Sequence, residues 1–566
     1  MHFLSSVRVQ FEIVTFFAKT LQFDIFLTSF PYLCKTVTMN AKTNSGNLPP
    51  ANKRVKQKEK KQAIVNRLTC ATLEGVNAKV IEVEATFTKG LPGFSVVGLA
   101  SNDIQESKER TKSALLTNEF VFPPLKITVN LSPSDLKKSG THFDLSLALL
   151  IALNKTTIDE EGLFVFGELG LDGKVKTSSM LFPLVLSLKE QGFIKRAIVP
   201  KESITYLSHI SGVDFIAVDT LSEAIQILKS KNFKANVQAF SYEAESFTLQ
   251  DMPYYFERKY ESDFLDVKGQ SIAKRASLIA AAGMHNFLME GNPGCGKSMI
   301  AKRIKDILPP LFEEEILSIA KHQFLDGVTP NFAALRPIRS PHHTATSASI
   351  FGGGSTTAKI GEVALAHKGI LFFDELPHFS KAVLEALREP LQDKKVHIAR
   401  VNAKIEYEAD IMFVAAQNPC PCGNLLSKIK SCRCSEVEIK RYQNKLSDPF
   451  LDRIDLFVVM QEVSSADKGD VTSKQMHEEV IKAFKMQKQR GQQRLNGKLS
   501  EEEIETYCVL SMDAGKILEG AIGKFGLSHR SIASIKKIGR TIADLNRHEK
   551  IEKSDILEAL SYRRRR

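Results

Sequence analysis

The sequence predicts a multidomain α/β chain: a mixed α/β domain, then a phosphate-loop core on a parallel sheet, then a helical C-terminal domain. Three observations carry that prediction. Between about residues 66 and 235, alternating apolar runs such as Val80-Ile81-Glu82-Val83-Glu84 and Ile127-Thr128-Val129-Asn130-Leu131 take turns with helical segments over 102–116 and 143–153. At 287–304 the string FLMEGNPGCGKSMIAKRI passes from a short apolar strand through a glycine loop into residues at helical spacing, and Ile370-Leu371-Phe372-Phe373 has the unbroken apolar character of a parallel strand buried on both faces. From about residue 470 onward the period and composition are helical.

A chain of 566 residues has room for roughly three or four domains. Its hydrophobic share of 43% and charged share of 25% are those of an ordinary globular protein. The net charge of +12 and pI of about 9.1 favour an anionic partner, with DNA or RNA first, although a merely basic enzyme has the same balance. Eight cysteines in this length do not make a secreted disulfide scaffold. No apolar run reaches the roughly 18 residues that span a bilayer, so a cytoplasmic protein without a membrane partner is expected.

Taken in order, residues 1–65 read as a disordered leader. Arg8, Glu12, Lys19 and Asp24 break every apolar stretch before residue 38, and no small-residue cleavage site follows, which argues against a signal peptide. Met39 opens a polar segment, which marks 1–38 as a candidate upstream mis-start. Residues 40–62 are lysine-rich and contain prolines, the composition of a solvated tail. The domain over 66–235 is punctuated by turn signals at Leu91-Pro92-Gly93 and Leu171-Asp172-Gly173. Residues 236–262 show no clear period and read as a linker to the core over 263–470, with the helical domain over 471–566.

The core carries the chemistry. Gly291-Asn292-Pro293-Gly294-Cys295-Gly296-Lys297-Ser298 is a Walker A loop in its strand-to-helix setting. Glycines let successive N–H groups turn toward phosphate oxygens, and the following helix presents its positive end to the same anion. Lys297 is expected on the β- and γ-phosphates of ATP and Ser298 on Mg²⁺. A plain glycine turn before a helix does not account for the whole eight-residue pattern. Cys295 suits the loop by size, and its thiol would expose the site to oxidation. Asp374 and Glu375 close the apolar strand at 370–373, where Asp374 can hold Mg²⁺ and Glu375 can polarise the attacking water. The Walker A loop and this acidic pair together predict an ATPase.

Two C-x-C pairs, Cys420-Pro421-Cys422 and Cys432-Arg433-Cys434, offer the four thiolates of a tetrahedral structural Zn²⁺ site. Inert thiols, and a redox or iron role, are the competing readings.

The strings GLPGFSVVGLA, ITVNLSPSDLKKSGTHFDLSLAL and FGELGLDGKV, with the core motifs and the CPCG string, resemble the YifB/ComM family of Mg-chelatase-like AAA+ ATPases over about 66–562. The resemblance implies an N-terminal ribosomal-S5-domain-2 fold shared with the proteolytic domain of Lon, a P-loop AAA+ core and a C-terminal helical lid. Lon-type peptidases activate a serine with a lysine, but the corresponding turn, Lys138-Ser139-Gly140-Thr141-His142-Phe143-Asp144, lacks their Pro-Ser-Ala-Gly nucleophile turn. A scaffold or substrate-guiding domain is the better expectation.

Further site residues follow from the resemblance. Asn418 matches the AAA+ sensor-1 position, whose amide holds the attacking water or the γ-phosphate. Arg453, in the string Asp452-Arg453-Ile454-Asp455, resembles the arginine finger that completes a neighbouring subunit's site, its other reading being a local salt-bridge cluster. Arg530, in a helix capped by Ser528, matches the sensor-2 arginine that contacts the γ-phosphate in cis. The insert at 335–362, including Phe351-Gly352-Gly353-Gly354, would face a ring channel, where Arg336, Arg339, His342 and His343 contact a nucleic-acid backbone, unless the histidines cap a loop or bind metal. The basic run Arg563 to Arg566 ends the chain.

The family implies a hexameric ring motor, a DNA helicase acting on single-stranded or branched DNA, which promotes branch migration in homologous recombination and natural transformation. One alternative is a chelatase-type motor that remodels a protein partner for metal insertion. Its Asp-x-Ser-x-Ser adhesion motif is missing, since Asp144-Leu145-Ser146-Leu147-Ala148 lacks the second serine, which leaves open a separate partner chain. A Lon-like ATP-dependent protease is the third reading.

Overall fold

A computed structural model describes residues 66–564, apart from 157–161, 238–239, 241, 354–358, 400–403 and 465. The expectations for the leader, for Gly354 and for Arg565 and Arg566 lie outside the described residues.

The N-terminal domain is built on a seven-stranded mixed sheet. Its strands are β1 (Asn66–Glu74), β2 (Asn77–Thr88), β3 (Gly93–Val97), β4 (Lys126–Ser132), β5 (Leu163–Val165), β6 (Arg196–Pro200) and β7 (Asp214–Val218), in the order β3-β4-β2-β1-β5-β6-β7. On β2 the buried residues Ile81, Val83 and Ala85 alternate with more exposed neighbours, as the period-2 pattern requires. Helices Asn102–Thr117 and Asp144–Ala152 form where helical spacing predicted them. The second is buried from Asp144 to Ile151, and its one charge is held by Arg110, whose Nε lies 2.7 Å from the Asp144 carboxylate. In the turn that would carry a Lon-type site, Lys138 is fully buried and donates to the Pro133 carbonyl.

This domain packs directly against the phosphate-loop core. Helix Glu313–Leu325 of the core contributes Ile316, Leu317, Ala320 and Phe324 to the hydrophobic interior of the N-terminal domain. Phe324 stacks on Phe182 at 4.8 Å between ring centroids, and Lys321 reaches Glu190 at 2.9 Å. The expected linker over 236–262 is also ordered in part: Glu245–Leu249 and Met252–Phe256 pair as an antiparallel hairpin. Its turn places Gln250 and Asp251 at φ 51° and 63°, a left-handed pair usually filled by glycine or asparagine, so the sequence carries no ordinary hairpin signal there. Tyr255 then exchanges backbone hydrogen bonds with Leu311, which ties the hairpin to the core.

The core sheet has five strands, β8 (Phe287–Gly291), β9 (Ile338–Arg339), β10 (Ile370–Phe373), β11 (Met412–Gln417) and β12 (Leu456–Met460), ordered β9-β10-β11-β8-β12 with every pairing parallel. Phe287, Met289, Phe372, Val414 and Val458 pack on one face with helices Ser271–Gly283 and Lys297–Ile304. Leu288, Leu371, Phe373, Phe413 and Ala415 pack on the other. Because all strands run the same way, their C-terminal ends (Gly291, Phe373, Gln417, Met460) share one edge, where open parallel sheets bind ligands.

Five helices, Ser473–Gln489, Glu501–Tyr507, Met512–Phe525, His529–Asn546 and Lys553–Ser561, form the C-terminal domain. Among the described residues no helix is long and apolar enough to cross a membrane.

Candidate active site

At the C-terminal edge of the core sheet, the phosphate loop follows β8 directly. Gly294 and Gly296 sit at φ 81° and 95°, a region that costs any residue with a Cβ. A Cβ on Gly291 would stand 2.7 Å from the Cys295 sulfur and 3.0 Å from the Met460 carbonyl. Cys295 is therefore packing under the loop. It is 3% exposed and burial raises its pKa, which corrects the expectation of an oxidation-prone thiol.

The loop, the acidic pair and Asn418 converge. The Lys297 ammonium donates to the carbonyls of Gly291 and Asn292 at 2.7 and 2.9 Å and to Asn418 Oδ1 at 3.1 Å. Ser298 Oγ donates to Asp374 Oδ2 at 2.7 Å. Those two oxygens are hard donors of the kind Mg²⁺ takes, placed side by side. Glu375 follows at φ 53°, exposed at the mouth of the site. Beneath the loop, Gln417 donates to Glu290 at 2.5 Å, and burial raises the Glu290 pKa.

Arg453 and Arg530 lie elsewhere. The Asn286 side chain, just ahead of β8, donates to the Arg453 carbonyl at 2.9 Å, and its backbone N–H donates to Asp455 at 2.9 Å. Arg453 thus stands at the N-terminal edge of the sheet. With β8 five residues long, about 3.3 Å per residue puts the two edges roughly 13–16 Å apart. Arg530, capped into its helix by Ser528 as expected, joins Arg453 there: both guanidiniums donate to Gln392 Oε1 at 2.7 Å. The helix is held to this edge by Ser534, which donates to Asp455 at 2.7 Å. The expectation that Arg530 reaches its own subunit's γ-phosphate is therefore corrected, because packing of the helical domain carries it to the far edge. Burial, then repulsion from Arg530 and Arg388, lowers the Arg453 pKa. Arg388 is paired with Glu385 at 2.7 Å, whereas Arg453 and Arg530 meet no carboxylate at ion-pairing distance among the described residues, an arrangement that suits an incoming anion. Gln392, which bridges two of them, carries no motif in the sequence.

Of the four residues expected on nucleic acid, Arg336 does not belong with the others. It is buried, and its guanidinium donates to the carbonyls of Pro309, Pro310 and Lys368 and to Glu315, a structural role that corrects the DNA-contact expectation. Arg339 is paired with Glu362 through two hydrogen bonds of 2.6 and 2.9 Å. His342 is exposed, and His343 lies 3.8 Å from Glu375, which places this pair beside the nucleotide site. Two hairpins are paired here, Gly352-Gly353 with Lys359-Ile360 and Lys395–Ala399 with Lys404–Glu408, and Ile360, Val396, Ile398 and Tyr407 anchor them in the hydrophobic interior of the core.

The four cysteines come together. Cys420, Cys422 and Cys432 have their sulfurs 3.5 to 3.7 Å apart, and all four lie within 4.8 Å of one another. Backbone N–H groups of Asn424 and Arg433 pull the Cys422 thiol down to about 6. Cys434, although the Cys422 N–H lowers it, is pushed up to about 12 by desolvation and the neighbouring thiols. This loop leans on the phosphate loop: a Cβ on Gly423 would stand 2.6 Å from Pro293. Glu462 accepts from Asn292 at 3.1 Å and from Ser427 at 2.5 Å, joining the two loops.

Comparison with known proteins agrees with this geometry. The family profile described as magnesium chelatase, subunit ChlI, matches residues 263–468, that of subunit ChlI of Mg-chelatase matches 83–203, and that of the ChlI C-terminal region matches 470–563. The chain is 36% identical over 500 residues to the competence protein ComM of Haemophilus influenzae, covering 86% of this chain and 95% of the relative. It is 37% identical over 503 residues to YifB of Salmonella typhimurium, with the same coverage. The 67 kDa magnesium-chelatase subunit of Chlorobaculum parvum shares 26% over 160 residues, 28% of this chain and 23% of that subunit. With the phosphate loop, the acidic pair and the helical domain in their observed places, the chain belongs to the YifB/ComM family of Mg-chelatase-like AAA+ ATPases.

Proposed function

We propose that the chain is one subunit of an ATP-driven ring, of six subunits in the family pattern, that moves branched or single-stranded DNA, as in branch migration during recombination. One observation carries the ring: Arg453 and Arg530 stand on the sheet edge opposite Lys297, Ser298, Asp374 and Asn418, so each subunit offers half of a site at each of two edges. A neighbour's arginines complete the half that holds ATP.

Within that shared site, the loop N–H groups and Lys297 bind the phosphates, and Ser298 and Asp374 hold the metal. Held by Ser298 and Asp374, Mg²⁺ would supply positive charge against the charge that develops on the transferred phosphoryl group. Glu375 orients the attacking water, assisted by Asn418. The neighbour's Arg453 and Arg530 neutralise charge on the transferred phosphoryl group. When that group leaves, the two arginines lose their partner, and the packing of adjacent subunits changes. The two core hairpins at 352–360 and 395–408 carry this change to DNA.

Support for DNA is the net charge of +12, the exposed His342 next to His343, which lies 3.8 Å from Glu375, and the similarity to a protein named for competence. The test measures ATP turnover with and without a four-way DNA junction at several salt concentrations. Stimulation that declines steeply with salt, with the junction resolved into its arms, is expected. Turnover indifferent to DNA and an intact junction would refute the DNA reading and favour a protein-remodelling motor.

The four sulfurs fit structural Zn²⁺, since thiolates 2.3 Å from a tetrahedral zinc lie roughly 3.8 Å from one another. The protein is expected to contain about one zinc per chain and to lose it on Cys432→Ser. Because Glu462 and Gly423 join this loop to Asn292 and Pro293, the zinc-free variant should also bind ATP several-fold more weakly. Unchanged ATP affinity in a variant shown to be metal-free would break that link.

A further inference from the structure

At the sheet edge away from the phosphate loop, a cavity of about 220 Å³ separates the core from the helical domain. The core lines it with Glu315, Arg336, Lys368 and Asp410. The helical domain lines it with Lys488, Arg494 and Lys498.

The charges there do not balance. Arg336 is paired with Glu315 at 3.0 Å, Lys368 with Asp410 at 3.0 Å and Arg494 with Glu503 at 3.2 Å. Lys488 and Lys498 have no carboxylate within ion-pairing distance among the described residues. Lys488 donates to the carbonyls of Gln492 and Gln493 at 3.3 and 2.6 Å, and Lys498 to that of Ile411 at 2.6 Å. Behind them Lys394 donates to the Lys498 carbonyl at 2.9 Å. An ammonium has three donors, so all three lysines keep N–H groups that these bonds leave unspent. Burial pushes the Lys394 and Lys488 pKa values down to about 8 and lowers that of Lys498. A cationic excess held out of water is costly unless an anion meets it.

Size and acceptors narrow the anion. At about 220 Å³ the space falls below the roughly 300–1,000 Å³ of pockets for drug-sized ligands, yet it exceeds several waters at about 30 Å³ each. Asp410 adds selectivity: its Oδ2 accepts from Lys368, while its buried Oδ1 has no hydrogen-bond partner among the described residues. Only an anion that still carries a proton can donate to that oxygen.

We propose that this cavity is a binding site for inorganic phosphate, with Lys488 and Lys498 accepting its charge and Asp410 Oδ1 accepting its hydroxyl. Bound there, phosphate joins the helical domain to the Lys368 side of the core. The site is separate from the ATP site, and its occupation stiffens the joint on which Arg530 rides.

The test uses the full-length Lys297→Ala protein, in which the phosphate loop has lost its own lysine. Phosphate binding is measured by equilibrium dialysis, and the thermal midpoint is followed in phosphate, sulfate and chloride at equal ionic strength. About one phosphate per chain is expected, with a rise in midpoint that sulfate does not match. Adding Lys488→Met or Lys498→Met should weaken phosphate binding at least tenfold and, by removing a repelled cation, should leave the phosphate-free midpoint unchanged or higher. Phosphate acting no differently from chloride would overturn the proposal. So would phosphate binding that survives both substitutions, or a midpoint that falls in both while the response to phosphate persists, since the lysines would then serve only their carbonyl partners. An equal response to sulfate would remove Asp410 from the site.

Discussion

Glu375→Gln is expected to leave ATP bound and to stop its hydrolysis, with turnover falling by roughly 10²–10⁴-fold, the range over which general-base groups act. The geometry explains the separation. Lys297 makes its contacts to Gly291, Asn292 and Asn418, and Ser298 meets Asp374, without any involvement of the Glu375 side chain. Glutamine keeps the size and the exposed placement at φ 53° while removing the carboxylate proposed to polarise water. Equilibrium binding of labelled ATP alongside phosphate release checks both halves. Undiminished turnover would move the base elsewhere, and His343, at 3.8 Å, would be the next residue to replace.

Arg453→Ala is expected to lower turnover by roughly 10³-fold or more, the lower bound for an arginine that meets a transferring phosphoryl group. Arg453→Lys should rescue little, because the guanidinium uses three separate donors, to Arg388, Pro449 and Gln392, to hold its direction. Gln392→Ala is the informative companion. Its side chain only aligns Arg453 and Arg530, so turnover should fall by a smaller factor, on the order of tenfold, roughly one charged-group hydrogen bond's worth, with ATP affinity unchanged. A Gln392 variant as inactive as Arg453→Ala would mean that the amide itself reaches the neighbour's nucleotide.

Much of this site is legible in the sequence because the chemistry is local in the chain. A phosphate loop needs its glycines, lysine and serine within eight consecutive positions, and an acidic pair closing an apolar strand declares its own setting. Sequence distance hides the rest. Arg336 reads as a loop cation until the fold brings the carbonyls of Pro309, Pro310 and Lys368 around it. Arg530 carries the right motif, but its place is decided by Ser534 on Asp455 and by the packing of helix His529–Asn546, neither of which spacing encodes. The hairpin at 245–256 is concealed by left-handed Gln250 and Asp251. The four cysteines are the intermediate case: two short C-x-C pairs announce a cluster, but only folding shows that Glu462 and Gly423 bind it to the phosphate loop.

The claim that one ATP site is built by two subunits is tested most directly by mixing two inactive proteins. Lys297→Ala lacks the loop lysine and Arg453→Ala lacks the distant arginine. In a mixed ring, every contact that sets the intact loop of an Arg453→Ala subunit against the intact arginine of a Lys297→Ala subunit restores a complete site. Steady-state ATP hydrolysis of the mixture, titrated from one pure variant to the other, should be negligible at both ends and rise to a maximum near equal proportions. Turnover that stays at the baseline across the titration, in mixtures shown to co-assemble, would place both residues at one subunit's nucleotide and contradict the shared site.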